Sequence, residues 1–367
     1  MSKKKILFVT SDISSKGGIP RFNSTLVKAL IHFNCEVSIV CLNSTNAPSF
    51  IKQEIKCNKK IKILCCHKNK IKFLANSMLL TILTRPDIAI CGHVNQGLPL
   101  SLIFKFFLIK KRILILHGVE VWGKINYLRR LIFPIFTKVL AVSSYTRDSY
   151  LKQIPSLNPD VCTIFPNTID SYLLKIYGGY KKYDNNEITL LSVSRLDVTE
   201  RDKGIIDVMY ALSAMQLNDM KYKIVGDGND KQYLQSVAKK LSIDNVVEFV
   251  GTVSDEELLK AYQSADIFVL PSNKEGFGIV YLEAMLFKMP IIAAKEKGAL
   301  DVIDHGNNGY LCEFGDRVSI GKYIKLLTED ARLRCNMGEH GFSLVTENGK
   351  FSYHSYLNRV NSVFLEE

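Results

Sequence analysis

Two glutamates, Glu275 and Glu283, stand eight positions apart in a stretch that reads Pro-Ser-Asn-Lys-Glu-Gly-Phe-Gly-Ile-Val-Tyr-Leu-Glu-Ala-Met from Pro271 to Met285. The apolar run at 267–270 before it predicts a strand. Gly276, Phe277 and Gly278 predict a loop, and the apolar-rich residues beyond predict a helix starting near Phe277 or Gly278. Glycines let backbone approach a ligand closely, and the first amides of a helix have no internal acceptor, so a loop of this kind suits an anion such as a pyrophosphate. Glu275 in the loop and Glu283 in the helix would address different parts of one extended ligand. Two glutamates at this spacing often arise by chance as surface residues; the strand, glycine loop and helix around them favour a site.

Cations of the right type lie upstream. Arg195 directly follows the apolar run 188–194, and Lys203 precedes Gly204 in the charged run Glu200-Arg201-Asp202-Lys203. Both types are abundant and a solvated pair is the plain reading, but a cation directly after a strand favours a functional role for Arg195. Arg201 competes with Lys203 for that role, and the following glycine favours Lys203. His117 closes the apolar run 113–116, at the end where a parallel sheet presents its ligand loops. A histidine there is more often a packed structural residue than a catalyst. Gly17 and Gly18 follow the first apolar run, where backbone amides could approach an anion; the alternative is a simple turn. No D-x-D pair occurs, so the usual carboxylate cage for a divalent cation on a diphosphate is missing, and no metal or other cofactor is expected.

The elements that must position these residues are legible in the pattern. Short apolar runs rich in Val, Ile and Leu recur at 6–9, 37–42, 61–66, 88–91, 113–117, 139–143 and 161–165, and again at 188–193, 222–225, 246–250, 267–270 and 290–294. Helix-compatible segments alternate with them, which is the signature of parallel sheets with helices on both faces. Ser254-Asp255-Glu256-Glu257 reads as a capping box opening a helix from Asp255 to about Ser264. Residues 171–187, with Gly178-Gly179 and Asp184-Asn185-Asn186, hold turn formers and no clear strand, and are read as a linker. The expected architecture is α/β with two Rossmann-like domains, residues 1–175 and 186–350, facing across a ligand-binding cleft. A final helix at about 351–365 is expected to return to the first domain.

The chain has 367 residues, 47% hydrophobic and 23% charged, which excludes a disordered, collagen-like or disulfide-scaffold protein. Nine cysteines with no C-x-x-C pair suggest buried thiols in a reducing compartment and no zinc site. The apolar run after Lys3-Lys4-Lys5 is too short for a signal peptide, and the region 98–117 is interrupted by Lys105 and Lys110-Lys111-Arg112, so no bilayer-spanning segment is expected. Charge divides unevenly. Residues 1–183 hold 28 Lys and Arg against 8 Asp and Glu, a balance of +20, and the remainder holds 20 against 28, or −8. A basic half suits an anionic partner, although a solvated lysine-rich surface is an equal reading. Phe104, Phe106, Phe107, Leu108, Ile132 and Phe133 lie among Lys105, Lys110, Lys111, Arg112, Arg129 and Arg130, a mixture that suits a membrane surface.

The glutamate pair in its setting resembles the signature of glycosyltransferase family 4, the retaining nucleotide-sugar glycosyltransferases of GT-B fold. Ser194-Arg195-Leu196 with Lys203-Gly204 resembles the family's phosphate-binding element, and Ile224-Val225-Gly226-Asp227-Gly228 its next strand and turn. Gly17-Gly18-Ile19, the segment His117-Gly118-Val119-Glu120-Val121-Trp122, and Pro166-Asn167 fall in the family's order. The resemblance implies that Glu283 holds the donor ribose and Glu275 lies beside the transferred sugar. Arg195 and Lys203 would neutralise the diphosphate, with Gly17, Gly18, Gly276, Phe277 and Gly278 around it. His117 would contact the donor sugar, and backbone near Gly251, Thr252 and Val253 would read the base. It further implies metal-independent, retaining hexosyl transfer from a nucleoside-diphosphate sugar to a hydroxyl of a saccharide or lipid-linked acceptor. A bacterial O-antigen, capsule or related polysaccharide pathway is expected, with a cytoplasmic enzyme peripheral on the inner face of the membrane. Two departures stand out: Lys288 occupies the place of the family's usual glycine before the proline, and the loop 197–203 is longer than its commonest form. Rival readings are a nucleotide-sugar epimerase or phosphorylase of similar architecture, or a nucleic-acid-binding protein using the basic half. A nicotinamide dehydrogenase is disfavoured because Gly226-Asp227-Gly228 lacks the third glycine of its fingerprint.

Overall fold

In the computed structural model the chain forms two units: Met1–Asp170 with His354–Glu367, and Ser171–Tyr353. The structure describes residues 3–15, 17–58, 61–169, 173–174, 187–215 and 219–366. Most of the segment 171–187, read above as a linker, lies outside the described residues.

The first unit is built on seven parallel strands: β1 (Lys5–Thr10), β2 (Glu36–Cys41), β3 (Ile61–Cys65), β4 (Ile88–Cys91), β5 (Lys111–Leu116), β6 (Lys138–Ala141) and β7 (Cys162–Ile164). Their order in the sheet is β3-β2-β1-β4-β5-β6-β7, so the winding reverses at β1, where β2 and β4 pair on its two sides. Leu7, Phe8, Val9, Ile39, Val40, Ile90 and Cys91 are fully buried. Strands covered on both faces have no polar side, which is why they read as uninterrupted apolar runs.

The second unit repeats the scheme with β8 (Ile188–Val193), β9 (Met220–Val225), β10 (Val247–Gly251), β11 (Ile267–Leu270), β12 (Ile291–Ala294) and β13 (Gly309–Cys312), ordered β10-β9-β8-β11-β12-β13. The winding reverses at β8. Strand β13 has no counterpart in the sequence reading. It is a four-residue edge strand entered through Asn307-Asn308, with only Tyr310, Leu311 and Cys312 apolar and its middle half-buried, and a Cβ at Gly309 would run into the Ile291 carbonyl. The capping box forms as expected: Ser254 Oγ accepts from the Glu257 amide at 3.2 Å, Glu257 Oε2 accepts from the Ser254 amide at 2.7 Å, and the helix runs Asp255–Gln263.

The last helix, Tyr353–Val360, and the turn Asn361–Leu365 beyond it carry Tyr356, Val360 and Phe364 into the core of the first unit. The rings of Tyr356 and Phe364 lie 5.2 and 6.1 Å from Phe165. One part of the interfacial reading is corrected here. Phe104, Ile132 and Phe133 are core residues because they occupy the inward faces of their helical turns, leaving Phe106 and Leu108 outside. Among the described residues no helix is long and apolar enough to cross a membrane. Six of the eight described cysteines are buried, Cys65 is partly covered and Cys335 is exposed.

Candidate active site

In the second unit the loops after β8, β11 and β12 meet at the carboxyl ends of the strands. The segment Val198–Lys203 forms short turns of 3-10 helix and ends at Gly204, whose φ of 74° is left-handed and whose Cβ would strike the Pro271 carbonyl. Only glycine meets both demands. The loop 271–278 is tied on two sides. The Asn273 amide donates to the Asp202 carbonyl at 2.8 Å, the Gly298 amide donates to the Glu275 carbonyl at 3.1 Å, and Lys297 Nζ reaches the Asn273 carbonyl and Oδ1 at 2.5 and 2.6 Å. Gly276 passes so near Gly298 that a Cβ on the latter would meet its carbonyl.

The helix starts later than the sequence suggests, at Ile279, because Gly278 adopts φ 88° and caps it. A side chain at Gly278 would collide with the Tyr281 ring. Phe277 is buried, 5.6 Å from Phe351, so its side chain packs and only its backbone faces the loop.

This architecture gathers Arg195, Lys203 and Glu275. Lys203 Nζ donates to Glu275 Oε1 at 2.5 Å and lies 3.7 Å from Glu200 Oε2, while Arg195 Nη2 donates to Glu200 Oε1 at 2.5 Å. Lys203 and Glu275 are 15% and 12% exposed, whereas Arg195 is 72% exposed. Burial pushes the Lys203 ammonium toward deprotonation. The charge and hydrogen bond of Glu275, and then Glu200, outweigh that and raise it above its usual value, with Arg195 opposing. Lys203 is therefore charged at neutral pH. Arg201 turns elsewhere, pairing with Asp230 at 2.8 and 2.6 Å and lying 4.3 Å over the Tyr233 ring, where it anchors the loop.

Glu283 is 1% exposed on the helix Ile279–Leu286, and its Oε2 accepts from the Tyr262 hydroxyl at 2.7 Å. Tyr262 stacks on Phe287 at 5.5 Å. Tyr262 belongs to the helix that follows Val253, itself partly buried in the loop after β10. Glu275 and Glu283 thus occupy different settings, one in an ion-pair cluster and the other inside the packing between two helices.

In the first unit, Gly17 has φ 140° and caps the helix Gly18–His32 after β1. His117 follows β5, and Phe22 from that helix meets its ring edge-on at 5.1 Å. His117 Nε2 lies 2.9 Å from the Gly92 carbonyl, which can only accept, so Nε2 carries the proton and Nδ1 keeps its lone pair. The backbone amide of His117 donates to Glu120 Oε1 at 2.5 Å. Burial drives the His117 pKa down to about 4. Glu120 and the Gly92 bond oppose this and the neighbouring His93 adds to it, so the ring is neutral at physiological pH. The loop before Gly17 is organised by Asp12, which accepts from Ser44 Oγ at 2.6 Å and from the Ser14 amide at 2.9 Å. Burial raises the Asp12 pKa, but the Ser44 hydroxyl and the Ser14, Ser15 and Ile13 donors outweigh it and hold the carboxyl at about 2.

Sequence reasoning missed Glu200, Asp12 and Glu120 as positioning groups. Glu200 was visible only as one of several charges in the long loop 197–203; its bridge between Arg195 and Lys203 depends on the turns that loop makes. Among the described residues no group of three or more His, Cys, Asp or Glu is placed to hold a metal ion. Chemically, Arg195, Glu200, Lys203 and Glu275 form one linked cluster at the strand ends, with Glu275 in the loop that leads into the helix Ile279–Leu286, an arrangement that can bind an anion and respond to charge developing on it.

Two family models cover most of the chain: one described as Glycosyltransferase Family 4 matches residues 16–172, and one described as Glycosyl transferases group 1 matches residues 180–343. The chain is 31% identical over 246 residues to N-acetyl-alpha-D-glucosaminyl L-malate synthase of Bacillus anthracis, covering 63% of this chain and 62% of that protein. It is 28% identical over 193 residues to the capsular polysaccharide biosynthesis glycosyltransferase CapM of Staphylococcus aureus, covering 52% and 49%. The chain thus spans less than two thirds of either relative's length. Among solved structures, Anabaena HepE in complex with UDP superposes with a TM-score of 0.77 at 17% identity, covering 98% of both chains. The two doubly wound sheets, the order of the motifs on them and these likenesses agree: the chain belongs to glycosyltransferase family 4 and has the GT-B fold.

Proposed function

We propose that the protein transfers a hexose from a nucleoside-diphosphate sugar to a hydroxyl of a lipid-linked saccharide, in the assembly of a bacterial surface polysaccharide or glycolipid at the inner membrane face. The observation that carries this reading is the cluster of Arg195, Lys203 and Glu275 beside the amino end of the helix Ile279–Leu286. In that geometry the cations and helix amides bind the diphosphate, and they hold it more strongly as the bond from the anomeric carbon to the phosphate oxygen breaks. Glu275, fixed by Lys203, is assigned to the hexose, and Glu283 to the ribose, whose hydroxyls would have to replace the Tyr262 hydroxyl on its buried carboxylate. His117, with Nδ1 unprotonated, accepts a hydrogen bond from a sugar hydroxyl.

The acceptor oxygen bonds to the anomeric carbon on the face the diphosphate leaves, and its proton passes to the departing phosphate oxygen. Configuration is retained. No protein nucleophile is assigned, since a carboxylate pair flanking one bond, as hydrolases use, is not what Glu275 and Glu283 form. The missing D-x-D pair supports a reaction that needs no metal. The bacterial relatives named for capsule and glucosaminyl-malate synthesis support sugar transfer, and the fold shared with a UDP-bound protein supports a nucleotide-sugar donor.

A thermal-shift panel of UDP, GDP, ADP and dTDP tests the donor site, because a ligand held at a hundred times its Kd stabilises the folded state by about 2.7 kcal/mol. One nucleotide is expected to raise the Tm clearly above the others. Glu283→Ala should weaken that shift, and Arg195→Ala should lower turnover at least tenfold with a smaller effect on binding. Unchanged behaviour of both variants would remove the site assignment. NMR of the product's anomeric proton reads retention directly.

A further inference from the structure

The solvent side of the helix Lys70–Thr84 is apolar. Ile71, Met78, Leu79, Ile82 and Leu83 are exposed, Leu83 to 65% and Ile71 to 82%. With the exposed Ala75 they fall at i, i+4, i+7, i+8, i+11 and i+12, which is one continuous stripe of a helix. The inward face instead includes Ser77 and Thr81, whose hydroxyls return to the carbonyls of Phe73 and Ser77 at 2.7 Å each. Phe73 and Leu80 share that inward face, so the helix is apolar on both sides, unlike a helix whose outer face meets only water.

Two neighbouring helices repeat the arrangement. On Gly97–Phe106, which packs beside the first, Leu98, Leu102 and Phe106 are exposed at i, i+4 and i+8, and Leu108 just beyond is 83% exposed. On Tyr127–Ile132, packed against Gly97–Phe106, Tyr127, Leu128 and Leu131 face outward with Arg129 and Arg130 among them. Residues 67–133 carry eleven Lys and Arg against two Asp and Glu.

Where the first two helices end, a groove of about 910 Å³ opens beside Phe107, Leu108 and Phe364, and in its lining the cations Lys4, Arg85, Lys110 and Lys111 outnumber the carboxylates Asp87 and Glu366. It lies at the amino ends of β1, β4 and β5, the opposite end of the sheet from Gly17 and His117. Burial chiefly, and then the nearby charges of Lys4 and Lys138, lower the Lys111 pKa.

We propose that this three-helix face docks on an anionic phospholipid bilayer, with its apolar stripes entering the interface and the cations at the groove meeting lipid phosphates. Charge chooses the occupant. A second copy of the chain docked by the same face would set like charges such as Arg85, Lys110, Arg129 and Arg130 against one another, and a nucleic acid would leave three apolar stripes facing water. A bilayer of anionic lipid satisfies both features at once. The proposal deepens the functional reading only in saying where a lipid-borne acceptor would be met; the surface itself is independent of the donor site.

The test is co-sedimentation of the full chain with phosphatidylcholine vesicles, with and without one third phosphatidylglycerol, at low and high salt. Binding is expected only with phosphatidylglycerol and should weaken as salt rises. Leu83→Asp with Leu108→Asp, and separately Arg85→Glu with Lys110→Glu, should each weaken binding at least about tenfold while leaving the nucleotide thermal shift unchanged. Absence of binding by the unaltered chain, equal binding to neutral vesicles, or full binding by both variants would overturn the proposal. So would a dimer in solution that either variant dissociates. A chain that binds vesicles but shows no shift with any nucleotide would leave this surface standing and sink the catalytic reading.

Discussion

At the scale of residues, the cluster in the second unit is already neutralised before any ligand arrives, because Glu200 bridges Arg195 and Lys203. A diphosphate must compete with that carboxylate. Glu200→Gln is therefore expected to lower the donor KM by about two- to fivefold, the modest size reflecting solvent screening around the exposed Arg195. Steady-state kinetics decide it, and a raised KM would mean that Glu200 orients Arg195 instead of competing for it.

His117 gives a second prediction at this scale. Its folded pKa of about 4 lies below the ordinary 6.5, so between those values the unfolded chain takes up a proton that the folded one refuses. Stability should fall as pH drops through that window, by about 3 kcal/mol at its lower end. Urea melts at neutral and acid pH, compared with His117→Asn, should show the slope flattening in the variant. The motif residues themselves were legible in sequence because their types and spacing are local properties. Glu200 was not, since nothing local marks which charge of Glu200-Arg201-Asp202-Lys203 turns toward which partner.

At the scale of elements, backbone approach sets the loops. Gly204 and Gly278 each combine a left-handed φ with a neighbour that a Cβ would strike, whereas Gly315 has φ 79° and open space around it. Gly315→Ala should cost about 1 kcal/mol, from conformation alone. Gly204→Ala and Gly278→Ala should cost about 2 kcal/mol or more and also weaken nucleotide binding, since the Pro271 carbonyl and the Tyr281 ring cannot retreat without moving the loop. Thermal melts of the three variants test the ranking.

Lys288 shows the converse. It stands at φ 55° after the helix Ile279–Leu286, where family 4 usually has a glycine, and it pairs with Glu339 at 2.6 Å and lies 4.8 Å from the Phe342 ring, contacts that offset the strain of its backbone. Most strands were readable from apolar runs because a strand buried on both faces has to be apolar along its length. β13 was not, because an edge strand half-buried at its middle needs only the short run Tyr310-Leu311-Cys312, which does not stand out.

At the scale of the whole molecule, the chain ends by returning to its first unit. Tyr356, Val360 and Phe364 are each within about one per cent of complete burial. Ending the chain after Tyr353 should destabilise the first unit by about 5 kcal/mol, the sum expected for losing three buried side chains. It should also expose the Phe165 ring while the nucleotide-dependent stabilisation of the second unit persists. Circular dichroism melts with and without the nucleotide chosen by the thermal-shift panel separate the two effects.

The amino-acid sequence by itself determined the α/β class, two doubly wound units, the order of the motifs and the family to which the chain belongs, because periodicity and short motifs are encoded within a few residues of one another. Only the tertiary structure decided that Lys203 and not Arg201 meets Glu275, that Glu283 sits buried against Tyr262, that Phe104 and Phe133 turn inward, and that three helices leave apolar stripes facing out. Those outcomes depend on which residues distant in the chain become neighbours, and burial, pairing and exposure are properties of neighbours in space.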